Sequence, residues 1–137
     1  MLDLDNFKPF NDTFGHDAGD SLLRGLGQML REKLRKSDIA CRYGGDEFVL
    51  VLPDSSLADA QRRVEQIRVL VKELQIRNGG PPLDTITVSA GVAGEPGHNS
   101  TAPELIHAAY MYAAKQAGGN RVVAYQAKES SLENWLA

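Results

Sequence analysis

The paired glycines Gly44-Gly45 constrain this chain most, because they separate two short apolar runs, residues 39–43 and 48–52, both rich in strand formers. Glycine tolerates the positive φ angles of a two-residue hairpin, so this pattern predicts two antiparallel strands joined at the glycines. A sheet must bury one face, and the flanking segments supply the cover. Over residues 17–36, Leu22, Leu23, Leu26, Met29, Leu30 and Leu34 recur at helical spacing, with Arg24, Gln28, Arg31, Glu32 and Arg35 elsewhere. A second helix follows Asp54-Ser55-Ser56, capped by Ser56 and striped by Ala60, Val64, Ile67, Val71 and Leu74.

The remaining elements extend the same sheet. Met1 to Asp5 alternates apolar and acidic residues, as a strand does when one face is buried, and a central strand at the first residue implies further sequence upstream. Residues 6–15, with Pro9, Asn11, Asp12 and Gly15, read as a short helix or loop. Ile86, Val88, Ala90 and Val92 alternate with Thr85, Thr87, Ser89 and Gly91, which predicts another strand. Thr101 and Glu104 have capping-box spacing for a third helix stopped at Gly118-Gly119, and residues 121–125 form a closing strand. The expected fold is α/β (α+β), one sheet carrying helices.

Composition narrows the chemistry. The 137 residues suit one domain, and 42% hydrophobic with 24% charged is the balance of a soluble globular protein. A net charge of −3 gives no broad basic face for nucleic acid, so a phosphate-bearing ligand would need local groups or metal ions. One cysteine excludes an internal disulfide framework and fits a reducing cytoplasm. Cys41, in an apolar strand, reads as a core residue, and His16, His98 and His107 lack metal-ligand spacing. No apolar run approaches a membrane span.

Carboxylates carry the functional signal. Asp3 and Asp5 share a strand face opposite Leu2 and Leu4, while Asp46 and Glu47 leave the glycine turn. If the first strand lies beside the hairpin, Asp3, Asp46 and Glu47 gather at one edge. Grouped carboxylates repel unless a cation neutralises them, and oxygen-only donors suit magnesium.

Residues 3–20, running Asp3-Leu4-Asp5-Asn6-Phe7-Lys8 through Gly19-Asp20, resemble the first signature of the GGDEF diguanylate cyclase family. Arg42-Tyr43-Gly44-Gly45-Asp46-Glu47-Phe48 resembles the motif that names that family, and Lys115-Gln116-Ala117-Gly118-Gly119-Asn120-Arg121 its third segment. The resemblance implies a palm-like, ferredoxin-type sheet related to nucleotidyl cyclases, with a catalytic domain over residues 1–126 that lacks its usual preceding helix and loop, and a tail over 127–137. It implies a homodimeric, cytoplasmic cyclase that condenses two GTP into cyclic di-GMP, with two Mg2+ per site, Mn2+ as a substitute, and a sensory domain upstream.

Carried over by residue, Asp3, Leu4 (through its carbonyl), Asp46 and Glu47 would hold metal, with Asp46 and Glu47 catalytic. Asn6, Phe7, Lys8 and Lys115 would hold phosphates, Asn11 and Asp20 would read guanine, and Gly44 and Gly45 would leave the nucleotide room. Arg35 and Asp38 match an RxxD site at which product inhibits. Gly119 stands where many relatives have a phosphate-binding arginine, so Gly119→Arg is expected to tighten GTP binding. A silent GTP or cyclic di-GMP receptor and another palm-type dinucleotide cyclase are the alternative readings.

Overall fold

The computed structural model describes residues 1–94, 101–112 and 118–125. Its elements run β1 (Leu2–Leu4), α1 (Phe7–Phe14), α2 (His16–Lys33), β2 (Ile39–Gly44), β3 (Glu47–Val51), α3 (Leu57–Lys72), β4 (Val88–Ala93), α4 (Ala102–Tyr112) and β5 (Val122–Tyr125). The strands form one sheet in the order β2-β3-β1-β4-β5. β1 pairs antiparallel with both β3 and β4, β2 pairs antiparallel with β3, and β5 joins β4 in parallel. Through β4 this is the ferredoxin-type β-α-β-β-α-β order, to which α4 and β5 add one parallel unit.

Periodicity decides which face each helix covers. Leu22, Leu26 and Leu30 of α2 and Val64, Ile67 and Val71 of α3 pack on Leu2, Leu4, Phe48, Val88, Ala90 and Val92 of the sheet. Burying a side chain such as Leu26 contributes roughly 1.5–3 kcal/mol, so this layer dominates the stability. On the other face, α4 sets Ile106 and Ala109 against Met1, Val49 and Ala93. The caps act locally: Ser56 Oγ accepts from Asp59 N–H at 3.1 Å, and Thr101 N–H donates to Glu104 Oε2 at 2.7 Å.

Four details differ from the sequence expectations. The hairpin turns at Gly45-Asp46, with Gly44 already paired to Glu47. Gly45 takes φ +47°, and Arg42 Nε donates to its carbonyl at 2.9 Å, which sets the turn one residue later. Cys41 is exposed, because β2 is an outermost strand with no buried residue. α2 ends at Lys33, where Leu34 turns extended, and β4 begins at Val88, although Ile86 is buried all the same.

Met1 is buried, and its nitrogen donates to the Gly91 carbonyl at 2.9 Å. Beside it lies a cavity of about 340 Å³ lined by Val49, Val51, Leu57, Ile106 and Ala109 among others, with no carboxylate among its described lining residues.

Candidate active site

The register of β1 against β3 builds the site. Asp3 stands directly across from Glu47, and Leu2 across from Phe48. The Leu4 N–H donates to the Asp46 carbonyl at 3.1 Å, which pins the hairpin turn to β1. Directly opposed residues in such a ladder have Cβ atoms about 4.5–5.5 Å apart, and like charges there repel. Asp3, Asp46 and Glu47 are half-buried. Among the described residues, no Lys or Arg is ion-paired with Asp46 or Glu47. Nor do three His, Cys, Asp or Glu side chains there gather closely enough to hold a metal ion by themselves. The donor set nevertheless fits magnesium, which takes one or two carboxylates and leaves its other positions to phosphate and water.

Asp5 is engaged differently. Its carboxylate accepts from Thr87 Oγ1 at 2.7 Å, Ser89 Oγ at 2.6 Å and the Asn120 N–H at 2.9 Å. It therefore ties β1 to β4 and to the turn before β5. Gly119 in that turn has φ +73°, and a Cβ there would come 3.0 Å from Asp5 Oδ1. This weighs against the expectation for Gly119→Arg, since any side chain there is strained by the backbone and crowded by Asp5.

Asn6 adopts a left-handed conformation, φ 57° and ψ 34°, and its side chain does not cap α1. The first N–H groups of α1, at Phe7 and Lys8, thus lack a side-chain cap beside the carboxylate edge. Further along α1, the Asn11 amide packs on α2, where a Cβ at Gly19 would lie 1.8 Å from Asn11 Oδ1. Only glycine admits this approach. Asn11 Oδ1 is buried, and no donor meets it. Asp20 follows Gly19 on α2 and is exposed. Beyond the adjoining residues, no described atom lies within 4 Å of a Cβ built at Gly44 or Gly45, so space is open there among the described residues. Lys115 and His98 lie outside the described residues.

Arg35 and Asp38 stand at the opposite end of β2 from the glycine turn. Six strand residues separate them from it, about 20 Å. The Asp38 carboxylate accepts from the Arg35 N–H at 2.7 Å and is ion-paired with Arg63 of α3. Bonding to Arg63 is the main cause that lowers the Asp38 pKa. Arg63 is a partner that sequence reading missed, since it is 25 residues away with no local signal. The Asp5 partners were within reach, because Thr87 and Ser89 fall on the polar phase of the β4 alternation.

Residues 1–121 match the family described as diguanylate cyclase, GGDEF domain. Response regulator PleD of Caulobacter vibrioides is 42% identical over 127 residues, covering 90% of this chain and 28% of that protein. Diguanylate cyclase DgcP of Pseudomonas aeruginosa is 38% identical over 123 residues, covering 89% of this chain and 18% of that protein. This chain thus spans less than a third of either relative. Among solved structures, the GGDEF domain of DgcB from Caulobacter crescentus in complex with c-di-GMP aligns with TM-score 0.81 at 35% identity, covering 90% of this chain and 74% of that one. Diguanylate cyclase SiaD of Pseudomonas aeruginosa, in complex with its activator SiaC, aligns with TM-score 0.83 at 36% identity, covering 90% and 48%. On the strength of a match spanning nearly all of its strands and helices, this chain belongs to the GGDEF diguanylate cyclase family.

Proposed function

We propose that this chain is the catalytic domain, residues 1–126, of a cytoplasmic enzyme that condenses two GTP into cyclic di-GMP and two pyrophosphates. The observation that carries the proposal is Asp3 standing across from Glu47 in the ladder at the glycine turn, two carboxylates placed where oxygen ligands for a divalent cation would be expected. Asp3, Asp46, Glu47 and the Leu4 carbonyl would hold two magnesium ions, or manganese in their place. Bound there, the metal would offset phosphate charge and acidify the attacking hydroxyl.

The residues divide the remaining work. Asn11 Oδ1, buried without a donor, suits a guanine N–H, and the Asp20 carboxylate suits a second. The N–H groups at Asn6, Phe7 and Lys8 and the Lys115 ammonium would hold the triphosphate. The 3′-oxygen of one GTP bonds to the α-phosphorus of the other as its bond to pyrophosphate breaks, and Glu47 takes the hydroxyl proton. A second such step with the roles exchanged closes the ring. Each chain has one guanine site and the product has two guanines, so two chains must meet face to face. Product binding at the Arg35–Asp38 corner would then restrain the reaction, and an upstream domain would supply the input.

The test is product analysis by chromatography and mass spectrometry after incubating the chain with magnesium and GTP, with ATP beside it. Cyclic di-GMP from GTP alone is expected. Its absence at protein concentrations that support dimers would overturn the reading.

A further inference from the structure

A row of side chains runs across the sheet from the carboxylate edge. Glu47 of β3 stands opposite Asp3 of β1, and Asp3 stands opposite Ser89 of β4. Beyond β4, Ala90 is paired in parallel with Val122, and the Ala90 N–H donates to the Arg121 carbonyl at 2.9 Å. One residue earlier on both strands, Ser89 therefore lies beside Arg121. Paired residues of neighbouring strands project to the same face, so Glu47, Asp3, Ser89 and Arg121 share one row on one face. Two strand spacings separate Asp3 from Arg121, about 10 Å.

The fold holds Arg121 in place without using its charge. The turn that carries it is tied on three sides. The Asn120 N–H donates to Asp5, Arg68 Nη1 donates to Asn120 Oδ1 at 2.6 Å, and the Arg121 carbonyl accepts from β4. The Arg121 side chain is exposed and folds back over the two glycines before it. Its Nε donates to the Gly119 carbonyl at 3.2 Å, and Nη2 lies 3.9 Å from a Cβ built at Gly118. Arg62, Arg63 and Arg68 are each ion-paired, whereas no described Asp or Glu is ion-paired with Arg121. Asp5, against which Gly119 packs, accepts instead from Thr87, Ser89 and Asn120. With Nε–H on the Gly119 carbonyl, Nη1 and Nη2 remain to meet a ligand.

Carboxylates at one end of a row and a guanidinium at the other suit a chain of phosphates lying between them. A divalent cation on the carboxylates takes oxygens at one end of that chain, and the guanidinium forks oxygens at the other. Gly119 brings no side chain to the turn, and the guanidinium of Arg121 is held at its carbonyl.

We propose that Arg121 binds the β- and γ-phosphates of GTP, the part of the substrate that leaves as pyrophosphate. The inference rests on the GTP-condensing reading and adds to it a binding residue from the entry of β5.

Titration calorimetry in magnesium with a non-hydrolysable GTP analogue and with GMP tests this. Both ligands carry guanine and the α-phosphate, and only the analogue carries the other two phosphates. Arg121→Gln should weaken binding of the analogue by about tenfold or more and leave GMP within about threefold of the parent. It should melt near the parent, because the bond it removes is an exposed one to Gly119. Equal affinity of parent and variant for the analogue overturns the proposal. So does an equal loss for both ligands, which makes Arg121 a brace of the turn. A parent that binds neither ligand overturns the GTP reading and the inference together. A parent that makes cyclic di-GMP, with an Arg121→Gln variant of parent-like KM for GTP, overturns the inference alone.

Discussion

The acids at the β1–β3 edge and the acids at the two junctions, Asp5 and Asp38, have opposite surroundings. Asp5 accepts from three donors, and Asp38 from a backbone N–H and a guanidinium. At the edge, Glu47 faces Asp3, and no described Lys or Arg is ion-paired with Glu47 or its neighbour Asp46. At the junctions the fold itself returns the cost of desolvating a carboxylate, as charge-assisted hydrogen bonds. At the edge two carboxylates stand across from each other in the ladder, an arrangement to which a bound cation would be favourable. Asp5 and Asp38 thus build the fold, while under the proposed function the edge carboxylates serve a ligand.

The largest expected effect breaks function at the edge without touching the fold. Glu47→Gln should lower cyclic di-GMP synthesis by about 10³-fold or more, the scale of losing an activating or metal-holding group. Its melting temperature should stay level or rise slightly, because one of two opposed charges is removed. Initial rates and thermal melts on the same preparation check both halves. Turnover within tenfold of the parent would return Glu47 to the structural class.

A smaller but still large effect is expected at the junction, with the sign reversed between fold and function. Asp5→Ala strands the hydroxyls of Thr87 and Ser89 and the N–H of Asn120. Hydrogen bonds to a charged group contribute about 1.5–3 kcal/mol each and do not add fully, so a loss of roughly 3–5 kcal/mol is expected. Urea unfolding measures it. A loss below about 1 kcal/mol would place Asp5 with the edge acids, kept for something other than the fold.

How much of this was legible follows from how far each signal reaches along the chain. The Ser56 cap and the Thr101–Glu104 box are three-residue signals, and both formed as the spacing indicated. The β1–hairpin neighbourhood was only a condition in the sequence, since alternation and a glycine turn do not fix strand order, and the observed register meets it by setting Asp3 opposite Glu47. Cys41 misled because an apolar strand reads alike at the centre and at the edge of a sheet, and only strand order tells them apart. Arg63 on Asp38, and Asn11 against Gly19, depend on how α3 and α1 dock, which no local pattern encodes. The hairpin turn shifted by one residue because both glycines suit a turn, and the Arg42 bond to the Gly45 carbonyl favours the later placement.

The smallest effect sharpens the comparison most, since Gly119 lies against Asp5, one of the junction acids. Resemblance alone suggests that an arginine here would grip phosphate and tighten GTP binding. The geometry weighs against it. At φ +73° an L side chain costs about 1–2 kcal/mol relative to glycine. A Cβ would also sit 3.0 Å from Oδ1, 3.1 Å from Cγ and 3.2 Å from Oδ2 of Asp5, so the carboxylate must give way by a few tenths of an ångström. Asp5 cannot shift without lengthening its bonds to Thr87, Ser89 and Asn120, which span 2.6–2.9 Å. A guanidinium reaching phosphate returns about 1.5–3 kcal/mol, and only when nucleotide is bound. Apo Gly119→Arg should therefore melt lower than the parent by the equivalent of about 1–3 kcal/mol, with no gain in affinity for a non-hydrolysable GTP analogue. Gly119→Ala separates the causes, because it carries the Cβ and the backbone strain without the charge. Equal losses in both variants assign the cost to Asp5 and the turn. An arginine variant as stable as the parent and tighter for nucleotide would show that the junction yields, and would move Asp5 toward the acids held for ligand.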